Sequence, residues 1–353
     1  MMNLRTPYRL GGVLILASVL TGGCARPAGV IFEPLANPPF WPSPPDPVRV
    51  LYVGELATSA DLKPSADFFE LAGEALFGKK TVRSMLSPYA LCTDGRDRLF
   101  VADSNAQVVH VFNFKTRAYS QWQPADDHGK TTPFSQPVGI AYDPDGRLIV
   151  ADSVAQTLHV FDDHGKYVGQ LGQHMLQRPC GLAIDPTSRR LYIADVAAHQ
   201  VLVFSLRGEL IRRLGQRGDK LGQFNFPTNV AVDSQGRLYV SDSLNFRVQQ
   251  FDRDLEPLRQ IGQQGDMPGY FSQPKGLAVD GEDHLYVVDA QFEAVQIFNA
   301  EGQLLMVFGE EGTEPGRFWL PAGIHIDRSS RIWIADTYNR RVQVFEYHLE
   351  DLP

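Results

Sequence analysis

Six segments of this chain repeat one pattern, and that repetition constrains the fold more than any other feature. The segment from Phe226 reads "FPTNVAVDSQGRLYVSDSLNFRVQQFDR", and the one from Gln273 reads "QPKGLAVDGEDHLYVVDAQFEAVQIFNA"; four more begin at Ser87, Gln136, Arg178 and Leu320. An aspartate after the second apolar run falls at 103, 152, 195, 242, 289 and 336, in steps of 49, 43, 47, 47 and 47 residues. A fixed period of this size marks a repeat architecture whose units bury their faces only against one another. Each unit reads as four strands; in the fourth they are "NVAVD", "RLYVSD", "RVQQF" and "PLRQIG", separated by the turn sequences "SQG" and "SLN". Leu238, Tyr239 and Val240 are apolar in succession, which a sheet with one wet face does not allow. Four-stranded sheets covered on both faces predict an all-β propeller, its blades packed radially around a channel.

The ends of the chain fit one another. The sixth unit stops at "RVQVFEYHLEDLP" with three strands, and the missing one precedes unit one: "VRVLYVGEL" (48–56) resembles "GKYVGQLG" (165–172), the fourth strand of unit two. A strand supplied from the N-terminus completes the last blade, closes a ring of six and removes an exposed sheet edge. One insertion, 57–87, breaks the rhythm. Phe68, Leu71, Ala72, Ala75 and Leu76 share a stripe at helical spacing, with Ser65 as cap and Gly78 as stop, so a helix is predicted at 66–77. It either packs on the face that carries the blade-to-blade loops or serves there as a plug or docking element. Residues 349–353 are a short tail.

These residues resemble the NHL repeat, the unit of a family of six-bladed propellers. Gly222, Phe224, Pro227, Ala231, Val232, Asp233, Gly236, Tyr239, Val240, Asp242, Asn245, Arg247, Val248, Gln249 and Phe251 match its pattern in order, and the resemblance covers 48–348. Ala106, Ala155, Ala198 and Phe292 stand where the family pattern has asparagine. The resemblance implies a rigid scaffold whose work is done at the channel mouths or flat faces. It also implies known alternatives: RNA binding on a basic face, or a lyase or lactonase with a metal held in the channel by histidines from several blades.

The N-terminus is a separate object. Arg5 and Arg9 precede the apolar run "LGGVLILASVL", too short to span a bilayer, and small residues then lead to Cys24. Residues 1–24 read as a secretory signal. The placement of Cys24 resembles a bacterial lipobox, although Thr21 stands where leucine is usual; the resemblance implies lipidation at Cys24. Ala25, rather than Asp, implies an outer-membrane destination, facing the periplasm or the cell surface. Residues 25–47 contain eight prolines and no periodicity. At about 3.1 Å per residue, this segment is expected to act as a semi-rigid tether of up to roughly 70 Å.

A net charge of -8 argues against a nucleic-acid partner, and three cysteines, Cys24, Cys92 and Cys180, make neither a disulfide framework nor a metal knuckle. The repeated aspartates are expected to cap their own turns, and Arg98, Arg147, Arg190, Arg237 and Arg331, with His284, to pair with the aspartates that open the preceding turns. Histidine offers little to a metal: His325 replaces an inner-strand alanine and is the one weak candidate ligand, while His110 and His159 lie in third strands and catalytic zinc needs three converging ligands. No catalytic residue and no cofactor is assigned. The positions after the proline that opens each inner strand, Tyr89, Val138, Cys180, Thr228, Lys275 and Ala322, differ from blade to blade and form the candidate binding face. The expected function is a monomeric, envelope-anchored, non-enzymatic scaffold for a protein or glycan of the envelope, reaching the membrane only through its lipid. The alternatives are a metal-dependent lyase or hydrolase (lactonase-like) working in the channel, and a small-ligand sensor.

Overall fold

The computed structural model describes residues 29–62, 81–126 and 128–348. The signal segment with Cys24, the predicted helix 66–77 and the tail lie outside them. Five four-stranded antiparallel sheets and one five-stranded sheet make a ring of six blades. In blade 4 the strands run Pro227–Val232, Leu238–Asp242, Arg247–Phe251 and Pro257–Ile261, from the axis outward. Each inner strand packs against the next, and the sixth packs against the first. In the sixth sheet Val50–Leu56 pairs with Arg341–Tyr347, Tyr52 opposite Phe345 and Leu56 opposite Val342. Among the described residues helical structure is limited to a single 3-10 turn, Ser243–Asn245.

The continuous apolar strands have a direct structural meaning. Leu238 and Val240 pack in the core between blades 3 and 4, while Tyr239 between them packs in the core between blades 4 and 5. Successive side chains of a strand point to opposite faces of the sheet. Every middle strand therefore feeds two cores, and each of the six blade junctions has a hydrophobic cluster.

The repeated aspartates fasten the blades at one face. Asp103 accepts from the N–H of Leu86 (2.6 Å), Ser87 (2.9 Å) and Ala106 (2.9 Å), so it caps its own turn and also holds the incoming linker. In blades 4 and 6 a side-chain network adds to this. Asp242 accepts from Asn245 Nδ2, Arg247 Nε and Gln249 Nε2, and Asp336 from Asn339, Arg341 and Gln343 in the same way. In blades 1 and 2 histidine takes the glutamine position: His110 contacts Asp103 at 3.1 Å and Tyr119 at 2.6 Å, and His159 contacts Tyr167 at 3.2 Å. The strand-opening pairs form in four blades: Arg98–Asp94, Arg147–Asp143, Arg237–Asp233 and His284–Asp280. In blade 3, Arg190 instead reaches the Arg253 carbonyl, and Asp185 takes Ser188; in blade 6, Asp327 takes Trp333 Nε1 and Arg331 turns to Glu346.

The proline-rich segment does not stand off from the ring after Gly29. Ile31 and Phe32 pack on the core between blades 6 and 1. Phe40–Trp41 adds a fifth strand outside Val50–Leu56, and the Trp41 ring lies 5.7 Å from that of Phe308. The spacer expected over 25–47 is thus, from residue 29 onward, a strap on blade 6. Its turn-forming prolines hid an apolar content that does pack.

Candidate functional site: the two mouths of the channel

Six inner strands line the axis: Pro88–Thr93, Pro137–Tyr142, Pro179–Asp185, Pro227–Val232, Pro274–Val279 and Ile324–Ile326. Each is the edge of its sheet, so its second row of main-chain N–H and C=O groups faces the channel. Two residues in from one mouth the strands come very close. A Cβ on Gly139 would lie 1.8 Å from the Cys180 carbonyl oxygen, and one on Gly323 2.5 Å from that of Tyr89. The void at this waist is about 40 Å³, room for about one water. The channel is therefore two back-to-back mouths. One opens on the face carrying the blade-to-blade linkers (the linker face), the other on the face carrying the turns between first and second strands (the hairpin face).

The predicted ring lies at the linker-face mouth. Val138, Cys180 and Ala322 are buried, while Tyr89, Thr228 and Lys275 keep partial exposure. Tyr89, Cys180 and Lys275 come from alternate blades and converge. The Lys275 ammonium sits 5.9 Å from the centre of the Tyr89 ring, and Cys180 interacts electrostatically with both. Burial pushes the Lys275 amine below its ordinary range, raises the Tyr89 phenol, and pushes the Cys180 thiol up to about 11. At neutral pH the thiol and phenol are therefore uncharged. Hydroxyls tie the rim together: Ser243 donates to the Pro274 carbonyl (2.6 Å), Ser241 to that of Lys275 (2.6 Å) and Thr337 to that of Pro88 (2.8 Å). Sequence reasoning found these ring positions but not the meeting of amine, thiol and phenol across the axis.

Around this mouth the linker face carries large apolar side chains in water. Leu86, Val154, Met175, Leu221, Leu244, Met267, Trp319 and Tyr338 are each 42–64 % exposed. They stand in linkers or in turns between second and third strands, and the Trp319 and Tyr338 rings pair at 5.6 Å. Each is isolated in its own turn, so no periodicity announced them.

The hairpin-face mouth is wider, a well of about 260 Å³ opening into about 440 Å³. His325 lies in its wall, its Nε2 2.9 Å from the Thr93 hydroxyl, and burial pushes the imidazole down to about 4, so it is neutral at pH 7. Cys92 is a buried free thiol nearby, pushed well up by burial. Among the described residues no three His, Cys, Asp or Glu side chains are placed to share a metal ion.

Fold and channel define the chain as a six-bladed β-propeller with an asymmetric axial site. The family profile of the NHL repeat matches residues 134–161 and 224–251, and the chain is an NHL-repeat propeller. A search of curated protein sequences finds no match. Among solved structures it resembles a virginiamycin B lyase from Staphylococcus aureus (12 % identity, TM-score 0.55, covering 74 % of this chain and 96 % of that one). It also resembles an auxiliary nutrient binding protein from Bacteroides ovatus (13 % identity, TM-score 0.59, covering 75 % of this chain and 70 % of that one). At these identities the likeness is one of fold.

Proposed function

We propose that this protein is an exported, lipid-anchored scaffold of a bacterial cell envelope whose linker face docks another protein. The observation that carries this reading is the set of eight exposed apolar side chains around the linker-face mouth. The Trp319–Tyr338 pair forms the apolar centre of this set, and an exposed apolar patch supports an interaction surface there. The asymmetric ring at its centre, with Tyr89, Thr228 and Lys275 accessible, supplies the polar contacts that fix orientation. The strap supports a matching orientation. Gly29 lies beside the hairpin turns of blades 1 and 6. With Cys24 lipidated, five residue steps, at most about 18 Å of chain, separate it from the anchor. The linker face then points away from the bilayer.

In-cell photocrosslinking tests the reading, with the probe at Tyr338 on the linker face or at Arg207 on the hairpin face. A discrete adduct is expected from 338 alone, and Leu244→Glu should abolish it. Equal adducts from both positions, or adducts indifferent to Leu244→Glu, would rule the linker face out. Cys24→Ser should move the protein from the detergent phase to the aqueous phase on extraction.

A further inference from the structure

The hairpin-face mouth carries a second feature, unrelated to the apolar linker face. Arg96 and Arg328 both border the 440 Å³ mouth and an adjoining cleft of about 510 Å³ between blades 1 and 6. Their chains meet over Gly95: Arg328 Nε would lie 3.3 Å from a Cβ placed there. Both side chains are exposed, and among the described residues neither guanidinium forms an ion pair, although Arg96 feels the charge of Asp163 across the rim.

Most of the surrounding acids are already engaged, although Asp97 also borders the cleft between blades 1 and 6. Asp94 pairs with Arg98 at 2.7 Å, Asp143 with Arg147, and Asp327 holds Trp333 Nε1 at 2.9 Å and the N–H of Ser329 and Arg331. Asp163, across the rim, takes Arg98 and Tyr142. Two positive charges thus border one mouth in a chain whose net charge is -8. Guanidinium groups grip carboxylates and phosphates through paired N–H donors, and an anion between two of them relieves their repulsion. Below them the well offers the free main-chain edges of six strands, together with Thr93 and the neutral His325. Main-chain donors and acceptors removed from bulk water require polar partners, which a body rich in hydroxyls provides.

We infer that the hairpin-face mouth is a binding site for a small polyhydroxylated anion, a sugar acid or sugar phosphate. Its charged group sits on Arg96 and Arg328, and its hydroxyls enter the well. The waist, with room for about one water, makes the well blind, so the ligand enters and leaves by the same mouth.

Isothermal titration calorimetry on the full-length protein tests this with glucose 6-phosphate, glucuronate and glucose as probes. Binding of at least one of the two anions is expected, weakening as salt rises, with glucose much weaker. Arg96→Gln/Arg328→Gln should lower anion affinity on the order of tenfold or more. Arg207→Gln, on the same face but away from the mouth, should leave it unchanged. Equal binding by wild type and the double variant overturns the assignment, as does failure of both anions to bind. Binding to phosphatidylglycerol vesicles without binding of either free anion would assign the pair to a lipid surface and overturn it equally.

Discussion

Substituting Asp242 by asparagine should separate the cost of losing a hydrogen bond from that of stranding a charge. Asp242 is fully buried; Oδ1 accepts from the Asn225 N–H at 2.6 Å, and Oδ2 from Asn245 Nδ2, Arg247 Nε and Gln249 Nε2 at 2.8–2.9 Å. Either orientation of an asparagine amide aims its NH2 at a donor. The Arg247 side chain, 7 % exposed, loses its anion and keeps only neutral acceptors, Gln260 Oε1 and the carbonyls of Lys220 and Gln223. Removing one member of a buried ion pair costs about 3–5 kcal/mol. The neutral acceptors that remain place Asp242→Asn at the lower end, about 3 kcal/mol. Asp195 is the control: it is equally buried but accepts only main-chain N–H groups, from Gln177, Arg178 and Ala198. Asp195→Asn gives up one such bond, about 1 kcal/mol. Tryptophan fluorescence in urea, read at constant slope, measures both. Asp242→Asn/Arg247→Leu should lose less than the sum of its single variants, because the stranded charge goes with its partner. Equal losses for Asp242→Asn and Asp195→Asn within about 0.5 kcal/mol, or strict additivity in the double variant, would refute the reasoning.

His325→Ala should flatten the pH dependence of thermal stability. An unfolded histidine titrates near 6.5, whereas burial holds this one at about 4, so between those values only the unfolded chain takes up the proton. The stability held above about pH 6.5 is therefore lost as pH falls toward 4. Alanine, which stands there in blades 2 to 5 as Ala141, Ala183, Ala231 and Ala278, removes that slope; an unchanged profile would contradict the burial argument. Gly139→Ala should destabilise by about 1–3 kcal/mol or more, since the methyl meets main chain that cannot rotate away; a urea midpoint equal to wild type would show that the waist is looser than described.

The blades were legible because each is a local pattern repeated six times. Successive apolar residues such as Leu238, Tyr239 and Val240 can serve only a sheet covered on both sides, and a fixed period leaves few ways to stack such sheets. The capping role of the aspartates was legible for the same reason: a side chain present in every copy must satisfy something every copy has. What escaped was whatever occurs once. Ile31, Phe32 and Trp41 are scattered among prolines, and no period separates a packed strap from a spacer. Arg96 and Arg328 lie 232 residues apart and meet only because the ring closes. The candidate ring at 89, 138, 180, 228, 275 and 322 was found by alignment. Its chemistry depends on distances across the axis, which alignment does not contain. Arg190 and Arg331 departed from the repeat because the neighbouring side chains, Ser188 and Trp333, reached the turn aspartates in their place.

The split sixth blade has a consequence for how the molecule is made. Arg341 bonds Glu55 at 2.7 Å across 286 positions of sequence, so the strand Val50–Leu56 emerges early and waits for a partner synthesised much later. Blades 1 to 5 can form in order as the chain appears, each from contacts of short range, but the ring cannot close until Arg341–Tyr347 has been made. Through that interval the edge of Val50–Leu56 that will meet Arg341–Tyr347 is open, able to pair with the same strand of another copy. The final step of folding is therefore a competition between closure within one chain and exchange between two, and its outcome depends on protein concentration. Dilution during refolding should favour closed monomers, and crowding should favour swapped ones.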